Sequence, residues 1–230
     1  MSSCIRATKS WSALGLLVDS NSHFRLTEHI NAISSYSGIL PVIAGVFLVK
    51  RHSLWPFICF LIIGILNDLF QTYTTNDILA NLAMSVYSLF DILFLLWFTT
   101  QLFHIKMKWQ IAIGTLVFTL WFLAYNMHVP LQANYSEGSR FFDPIFLTIT
   151  SILAAIGLLK IIESPLRLEY NQYFGFYLGI FFYNFCVFFT HIFLSDDIAK
   201  EIWYLNALFN ITTMLIYTWA FLRLLGPQRS

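Results

Sequence analysis

Seven long apolar stretches occupy almost the whole chain between Ile30 and Leu225, and the charged residues fall almost entirely between them. Each stretch holds about 20 residues or more, the length that a helix needs to cross a hydrocarbon core of roughly 30 Å. Charged residues make up 11% of the chain, against about 25% in an ordinary soluble domain. The lipid bilayer is therefore the expected surroundings of this protein.

The stretches predict an all-α polytopic membrane protein, a bundle of seven transmembrane helices. Lipid cannot hydrogen-bond to the free backbone groups of an open strand edge, so we expect every span to be helical. The predicted spans are residues 30–49, 53–73, 79–103, 109–128, 141–162, 172–194 and 201–225. They form one transmembrane domain, 29–225, between an N-terminal extension, 1–28, and a short tail, 226–230. In span one, Pro41 predicts a kink because proline removes a backbone donor.

Lysine and arginine indicate the orientation. The loops after spans one, three and five, with the C-terminal tail, carry Lys50, Arg51, Lys106, Lys108, Lys160, Arg167, Arg223 and Arg229; the loops after spans two, four and six carry only Arg140 and Lys200. The positive-inside rule then predicts a cytoplasmic C-terminus and an N-terminus outside. Arg6, Lys9 and Arg25 in the extension count against this. The apolar run Ser12 to Val18 resembles a signal peptide, but we favour a disordered or amphipathic extension outside the cytoplasm.

A short internal similarity suggests a repeat. Span three contains Leu89-Phe90-Asp91-Ile92, and span seven contains Leu208-Phe209-Asn210-Ile211. Two three-helix units joined by span four would form a 3+1+3 parallel repeat, an arrangement known from some transporters. Short apolar strings also match by chance, and the paired prolines and glutamines of the PQ-loop sugar transporters are missing from spans one and five.

Several functions are disfavoured by what the sequence lacks. The formal net charge is +1 and no basic tract appears, so we expect no nucleic-acid partner. Neither an H-E-x-x-H motif nor a G-x-S-x-G elbow nor a phosphate-binding glycine loop is present. A retinal protein would need a lysine within span seven, and Lys200 stands at its very start. The three cysteines have neither disulfide nor metal spacing. We expect no cofactor and no metal.

Polar residues inside the spans mark the candidate site. An ionisable side chain near the bilayer centre costs roughly 2.5–3.5 kcal/mol, whereas one Leu or Phe returns only about 0.3–0.6 kcal/mol. Such residues are tolerable only where they face the bundle interior or water. The predicted ligand- or ion-binding residues are Asn67, Asp68, Tyr87, Asp91, Asn184, His191, Asn206 and Asn210, with Arg140 and Asp143 at the rim. They predict a polar cavity open to the outside.

Structural alternatives remain for some of these residues. Asparagines often hold helices together, at about 0.6 kcal/mol on average, which applies to Asn206 and Asn210. His191 is close to the headgroup region, and Arg140 with Asp143 is also explained as an exposed interfacial pair. Asp91 lies near mid-membrane, and Lys and Arg occur only at the ends of the spans, too far away to pair with it. We therefore expect Asp91 to be protonated or to bind a mobile cation or proton, because burial disfavours an unpaired charge.

One combination of motifs resembles a known group of proteins. It comprises Pro41-x-x-x-Gly45, Asn67-Asp68, Tyr87-x-x-x-Asp91, the step Ser139-Arg140, and Trp203 followed by Asn206 and Asn210. The chain is similar in these positions to short, largely uncharacterised seven-span proteins of bacteria, which resemble membrane modules found ahead of sensor kinases. The resemblance implies a bacterial inner membrane and a sensing role with a signalling partner.

Three functions follow as hypotheses. The first is a sensor or receptor-like module that binds a small ligand or ion in an outward-facing cavity. The second is a small secondary transporter, coupled to a solute, a proton or another cation. The third is a structural subunit of a membrane complex. An enzyme using Asp68 and Asp91 as an acid–base pair ranks last, because their depths differ by roughly 10 Å at 1.5 Å rise per residue.

Overall fold

In the computed structural model, every regular element among the described residues is a helix. The structure describes residues 20–48, 54–103, 105–126, 135–164, 173–192 and 198–224. Its helices are α1 (Ser20–Ser37), α2 (Ile39–Leu48), α3 (Trp55–Tyr73), α4 (Asp77–Thr100), α5 (Met107–Asn126), α6 (Tyr135–Ile162), α7 (Phe174–Ile192) and α8 (Ile198–Arg223), with a one-turn 3-10 helix, Gln101–Phe103, after α4. The all-α prediction is confirmed.

Five segments are long and apolar enough to cross a membrane. They are His29–Phe47, which joins the second half of α1 to α2, then Trp55–Tyr73, Ile78–Thr100, Pro144–Ile162 and Tyr204–Arg223. Two further apolar segments, Met107–Leu123 in α5 and Phe174–Thr190 in α7, are shorter. By length and composition, the chain is a multi-pass helical membrane protein.

The first span is interrupted at Gly38, where α1 ends and α2 begins. Pro41 stands one turn later, and its missing N–H leaves the carbonyl of Ser37 without its usual helical donor. Helix α1 begins at Ser20, inside the predicted extension 1–28. Residues 1–19, which include the run Ser12 to Val18, lie outside the described residues.

Contacts between helix ends show that α4 and α6 run in the same direction and that α7 runs in the opposite one. Tyr177, at the start of α7, donates from its hydroxyl to the carbonyl oxygens of Phe98 and Thr99, both 2.9 Å away at the end of α4. The Lys160 Nζ, at the end of α6, lies 5.2 Å from the centre of the Phe103 ring, just beyond α4. These contacts define one end of the bundle, here called the basic end, where α4 and α6 end and α7 begins.

Basic side chains at this end rest on aromatic rings. The Lys108 Nζ lies 5.9 Å from the ring centre of Trp109, and the Arg223 guanidinium lies 4.6 Å from that of Trp219. Tryptophan and cationic side chains of this kind are typical of the boundary between lipid and water. The basic end therefore has the character of a membrane interface.

Six helical segments form a closed ring. The first span (α1 and α2) packs on α3, α3 on α4, α4 on α6, α6 on α7, α7 on α8, and α8 packs back on α1 and α2. Helix α5 lies outside the ring and contacts α4 and α6. Its Trp121 donates from Nε1 to the carbonyl oxygen of Ser85 on α4 at 3.1 Å, which fixes α5 against the outside of the ring.

Aromatic side chains fill the ring interior towards the basic end. The ring centre of Phe57, near the start of α3, lies 5.0 Å from that of Phe98, 4.8 Å from that of Phe176 and 4.9 Å from that of Tyr217. Phe221 joins the group 4.9 Å from Phe176. These five residues, called the aromatic cluster below, come from α3, α4, α7 and α8 and tie four spans together.

Helices α7 and α8 approach closely along two glycines. A methyl group at Gly175 would lie 2.5 Å from the Cβ of Ala220. One at Gly179, a turn later, would overlap the ring of Tyr217. The G-x-x-x-G spacing therefore allows packing within this chain, because only hydrogen atoms fit between the two backbones.

Candidate functional site

A cavity of about 90 Å³ lies inside the ring, at mid-length of the helices, and its mainly apolar wall includes several polar side chains. The first span, α3, α4, α7 and α8 all contribute to its wall. Its polar lining consists of Ser35, Asp68, Tyr87, Asp91, Tyr183, Asn184, Asn210, Thr213 and Tyr217. Since one water molecule occupies roughly 30 Å³ of liquid, the space suits about three waters or one small solute.

Helical periodicity brings these side chains together. On α4, Tyr87, Asp91 and Leu95 follow one another at four-residue spacing and line the same wall. On α8, Asn210 and Tyr217 lie two turns apart and both line the cavity. Residues three, four and seven positions apart share a helix face, so each of these two helices presents one face to the cavity.

Asp68 occupies the α3 wall and is buried, with 5% of its surface exposed. Its Oδ1 has no hydrogen-bond partner among the described residues. Gly64, one turn earlier, makes room for Tyr87 of α4, whose hydroxyl oxygen would lie 2.9 Å from a Cβ at that position. The absence of a side chain at Gly64 therefore lets the phenol of Tyr87 enter the cavity beside Asp68.

Asn184 occupies the α7 wall and is 1% exposed. Both its Oδ1 and its Nδ2 lack a hydrogen-bond partner among the described residues. A buried polar group left without a partner costs about 1–3 kcal/mol. Both amide atoms of Asn184 are therefore available to hydrogen-bond to water or to a small solute in the cavity.

Asn210 both links helices and lines the cavity. Its Nδ2 donates to the carbonyl oxygen of Ser34 at 3.1 Å and to the Ser34 hydroxyl at 2.9 Å, joining α8 to α1. A carbonyl accepts only from a donor, so this contact identifies the nitrogen of the amide. The Oδ1 of Asn210 is left without a partner in the described part of the chain.

Asn206 does not line the cavity. Its Oδ1 accepts from the Thr190 hydroxyl at 2.6 Å, which joins α8 to α7. The interhelical alternative therefore describes Asn206. Asn67 also lies outside the cavity lining, although its Nδ2 is buried and unpaired among the described residues.

The structure thus brings together Asp68, Tyr87, Asp91, Asn184 and Asn210 of the residues predicted for the site. The side chains of His191, Arg140 and Asp143 lie outside the described part of the structure. Their predicted places in the cavity and at its rim stay predictions.

Three tyrosines line the cavity, and sequence reasoning included only Tyr87. Tyr183 directly precedes Asn184, and Tyr217 follows Asn210 by two turns on the same face. The seven-residue spacing from Asn210 is the signal that could have identified Tyr217, and no such spacing relates Tyr183 to Asn184. The prediction searched for carboxylates and amides, whereas a membrane tyrosine is usually assigned to the headgroup level.

The chemistry of the wall is acidic and hydrogen-bonding. Among the described residues that line the cavity there are two carboxyl groups, Asp68 and Asp91, and no Lys, Arg or His. No group of three or more His, Cys, Asp or Glu side chains with metal-binding geometry occurs in the described ranges. The arrangement can hold a small polar solute, water or a cation.

No protein-family model, no curated protein and no solved structure matches this chain.

Proposed function

We propose that this protein is a receptor-like membrane module that binds a small polar ligand or ion in the cavity inside its helix ring. The observation that carries the proposal is Asn184, which is 1% exposed with both amide atoms unpaired in the described structure. Asp68 and Asn210 each add one unpaired buried oxygen to the lining of the same cavity. Lipid offers no hydrogen bonds to such groups, so a polar occupant of the cavity completes them.

Seven membrane crossings are part of this proposal. Helix α5 has 20 residues and α7 has 19, so at 1.5 Å rise each is about 30 Å long and matches the hydrocarbon core. The positive-inside rule places the basic end in the cytoplasm and the start of α1 outside. The aromatic cluster lies between the cavity and the basic end, which favours ligand entry from the opposite face.

The setting follows the resemblance to bacterial seven-span modules. We propose the inner membrane of a bacterium as the location and a signalling protein in that membrane or beneath it as the partner. The basic end, with its exposed cationic side chains, is the surface that such a partner would meet from the cytoplasm. Occupation of the cavity, which touches five spans, is the event that the partner would read.

Replacing Asn184 with leucine tests the proposal. Leucine has a similar size and no polar atoms, so the ligand-free variant is expected to be as stable as the parent or about 1 kcal/mol more stable. The parent's melting temperature is measured against a panel of inorganic cations, small amines, neutral amides, sugars and amino acids. We expect at least one compound to raise it saturably, and the Asn184→Leu variant to lose that response.

Asn206→Leu is the matched control, because Asn206 bonds to Thr190 instead of lining the cavity. It is expected to lose about 0.6 kcal/mol of stability, the average for an interhelical hydrogen bond in a membrane, and to keep the ligand response. If no compound shifts the parent protein, or if Asn184→Leu responds as the parent does, the binding proposal fails and the structural-subunit alternative stands.

A secondary transporter is the second candidate, supported by the internal correspondence of the ring. Three pairs of residues lie the same number of positions apart: Asp91 with Asn210, Phe57 with Phe176, and Phe98 with Tyr217. The first pair lines the cavity, and the other four residues contact one another within the aromatic cluster. Two similar halves around one central site favour alternating access by movement of one half against the other.

Flux measurement separates the two candidates. A transporter reconstituted in liposomes is expected to move sodium ions or protons saturably, followed with radioactive sodium and with an enclosed pH dye, and the Asn184→Leu variant should lose that flux. A receptor binds without flux. Equal leakage with and without parent protein would remove the transporter candidate and leave the binding proposal intact.

A further inference from the structure

We infer that the occupant of the cavity is a compact monovalent cation with N–H donors, such as an ammonium ion or a small primary amine. This inference rests on the proposed function and names the ligand class of the same site. The described lining holds the carboxyl groups of Asp68 and Asp91 and no basic side chain, so its charge favours a cation. The cationic side chains of Lys108, Lys160 and Arg223 lie over aromatic rings at the basic end, away from the cavity, so they do not neutralise its carboxyl groups.

The unpaired atoms on the cavity wall are mostly hydrogen-bond acceptors, so they favour a ligand with hydrogen-bond donors. Three oxygens of cavity-lining residues lack a partner in the described structure, namely Oδ1 of Asp68, of Asn184 and of Asn210. Only one nitrogen of a cavity-lining residue, Nδ2 of Asn184, likewise lacks a hydrogen-bond partner in the described structure. The oxygen of Asn210 is assigned by the bond from its nitrogen to the Ser34 carbonyl. An ammonium group offers three or more N–H donors and no acceptor, which matches this excess.

Aromatic rings add a second attraction for a cation. Phe60, Tyr87, Tyr183 and Tyr217 all line the cavity. The face of a phenyl or phenol ring attracts ammonium groups, most strongly where water is scarce. An amine that keeps a small alkyl group has apolar surface to place against these rings, whereas a metal ion has none.

Volume limits the size of the amine. About 90 Å³ corresponds to roughly three water volumes, which suits ammonium, methylammonium or a similarly compact amine. Larger solutes such as sugars need several times this space. The cavity therefore selects by charge, by donor count and by size together.

Methylammonium is the probe for the test, applied to the purified full chain in lipid nanodiscs at constant ionic strength. Its effect on the melting temperature is compared with those of sodium chloride, potassium chloride and acetamide, a neutral molecule of similar size. Methylammonium is expected to give a saturable rise that the other three do not. Asp68→Asn and Asp91→Asn should each weaken its binding about tenfold or more, the size expected for one lost bond between charged partners.

Glu163→Gln is the control variant, because it removes one carboxylate that is exposed just beyond α6 and outside the cavity lining. It should bind methylammonium within about twofold of the parent, since an exposed charge has little influence at a distance. A saturable shift with acetamide but not methylammonium would overturn the inference and leave ligand binding standing. So would equal shifts with sodium or potassium, or no shift with methylammonium. If both aspartate variants fail to fold, the four-compound comparison on the parent protein decides.

Discussion

Phe57→Ala is expected to lower the free energy of unfolding by about 2–3 kcal/mol, the largest loss for any single truncation proposed for this protein. Phe57 is 0% exposed and contacts Phe98, Phe176 and Tyr217 at ring-centre distances of 4.8–5.0 Å. In a membrane the lost term is packing, because lipid is as apolar as the protein core. A void on the order of 100 Å³, at roughly 24 cal/mol per Å³, gives this magnitude.

The loss is measured by reversible unfolding in mixed detergent, with Phe47→Ala as the matched control. Phe47 lies near the end of α2 and is 80% exposed, so its truncation leaves no interior void and should change stability by less than about 0.5 kcal/mol. Similar losses for the two variants would mean that the aromatic cluster does not hold the four spans together.

Gly175→Ala is expected to destabilise the protein by about 1–3 kcal/mol, the usual cost of overfilling a close-packed interface. The added methyl group would lie 2.5 Å from the Cβ of Ala220 and 3.2 Å from its Cα. A backbone atom cannot turn aside as a side chain does, so α7 and α8 must separate. The melting temperature of the purified variant, compared with that of the parent, measures the effect.

Gly114→Ala is the control for this substitution. Its added methyl group would meet only the Cδ2 of Leu93, at 4.0 Å. Because alanine is the better helix former by up to about 1 kcal/mol, this variant is expected to be neutral or slightly stabilised. A neutral Gly175→Ala would show that the backbones of α7 and α8 are farther apart than in this structure.

Much of the fold could be predicted from the sequence, because a helix that crosses lipid is recognisable by its length and apolar composition. Span two was predicted at 53–73 and α3 covers Trp55–Tyr73. The first residues of other helices were harder to predict from the sequence. Helix α6 begins at Tyr135, ahead of the predicted 141, and carries Pro144 within it. Its first turns are polar, so hydropathy gives no signal for them.

The cavity residues were predictable to the extent that polarity within an apolar span is rare. The carboxylates Asp68 and Asp91 and the amides Asn184 and Asn210 stood out for that reason, and all four line one cavity. What the sequence could not tell is which amide already has a protein partner. Asn206 bonds to Thr190 on another helix, a contact that depends on how α7 and α8 pack.

The position of the aromatic cluster also has an electrical consequence. If the cavity opens to the face opposite the basic end, as proposed, water and ions in it carry the potential of that face inward, whereas the packed aromatic rings do not conduct. Most of the transmembrane voltage then falls across Phe57, Phe176 and their neighbours. A cation beside Asp91 would then have crossed only a small part of that voltage, which is worth about 2.3 kcal/mol per 100 mV for a full crossing. The membrane voltage would therefore change the occupancy of the cavity only slightly.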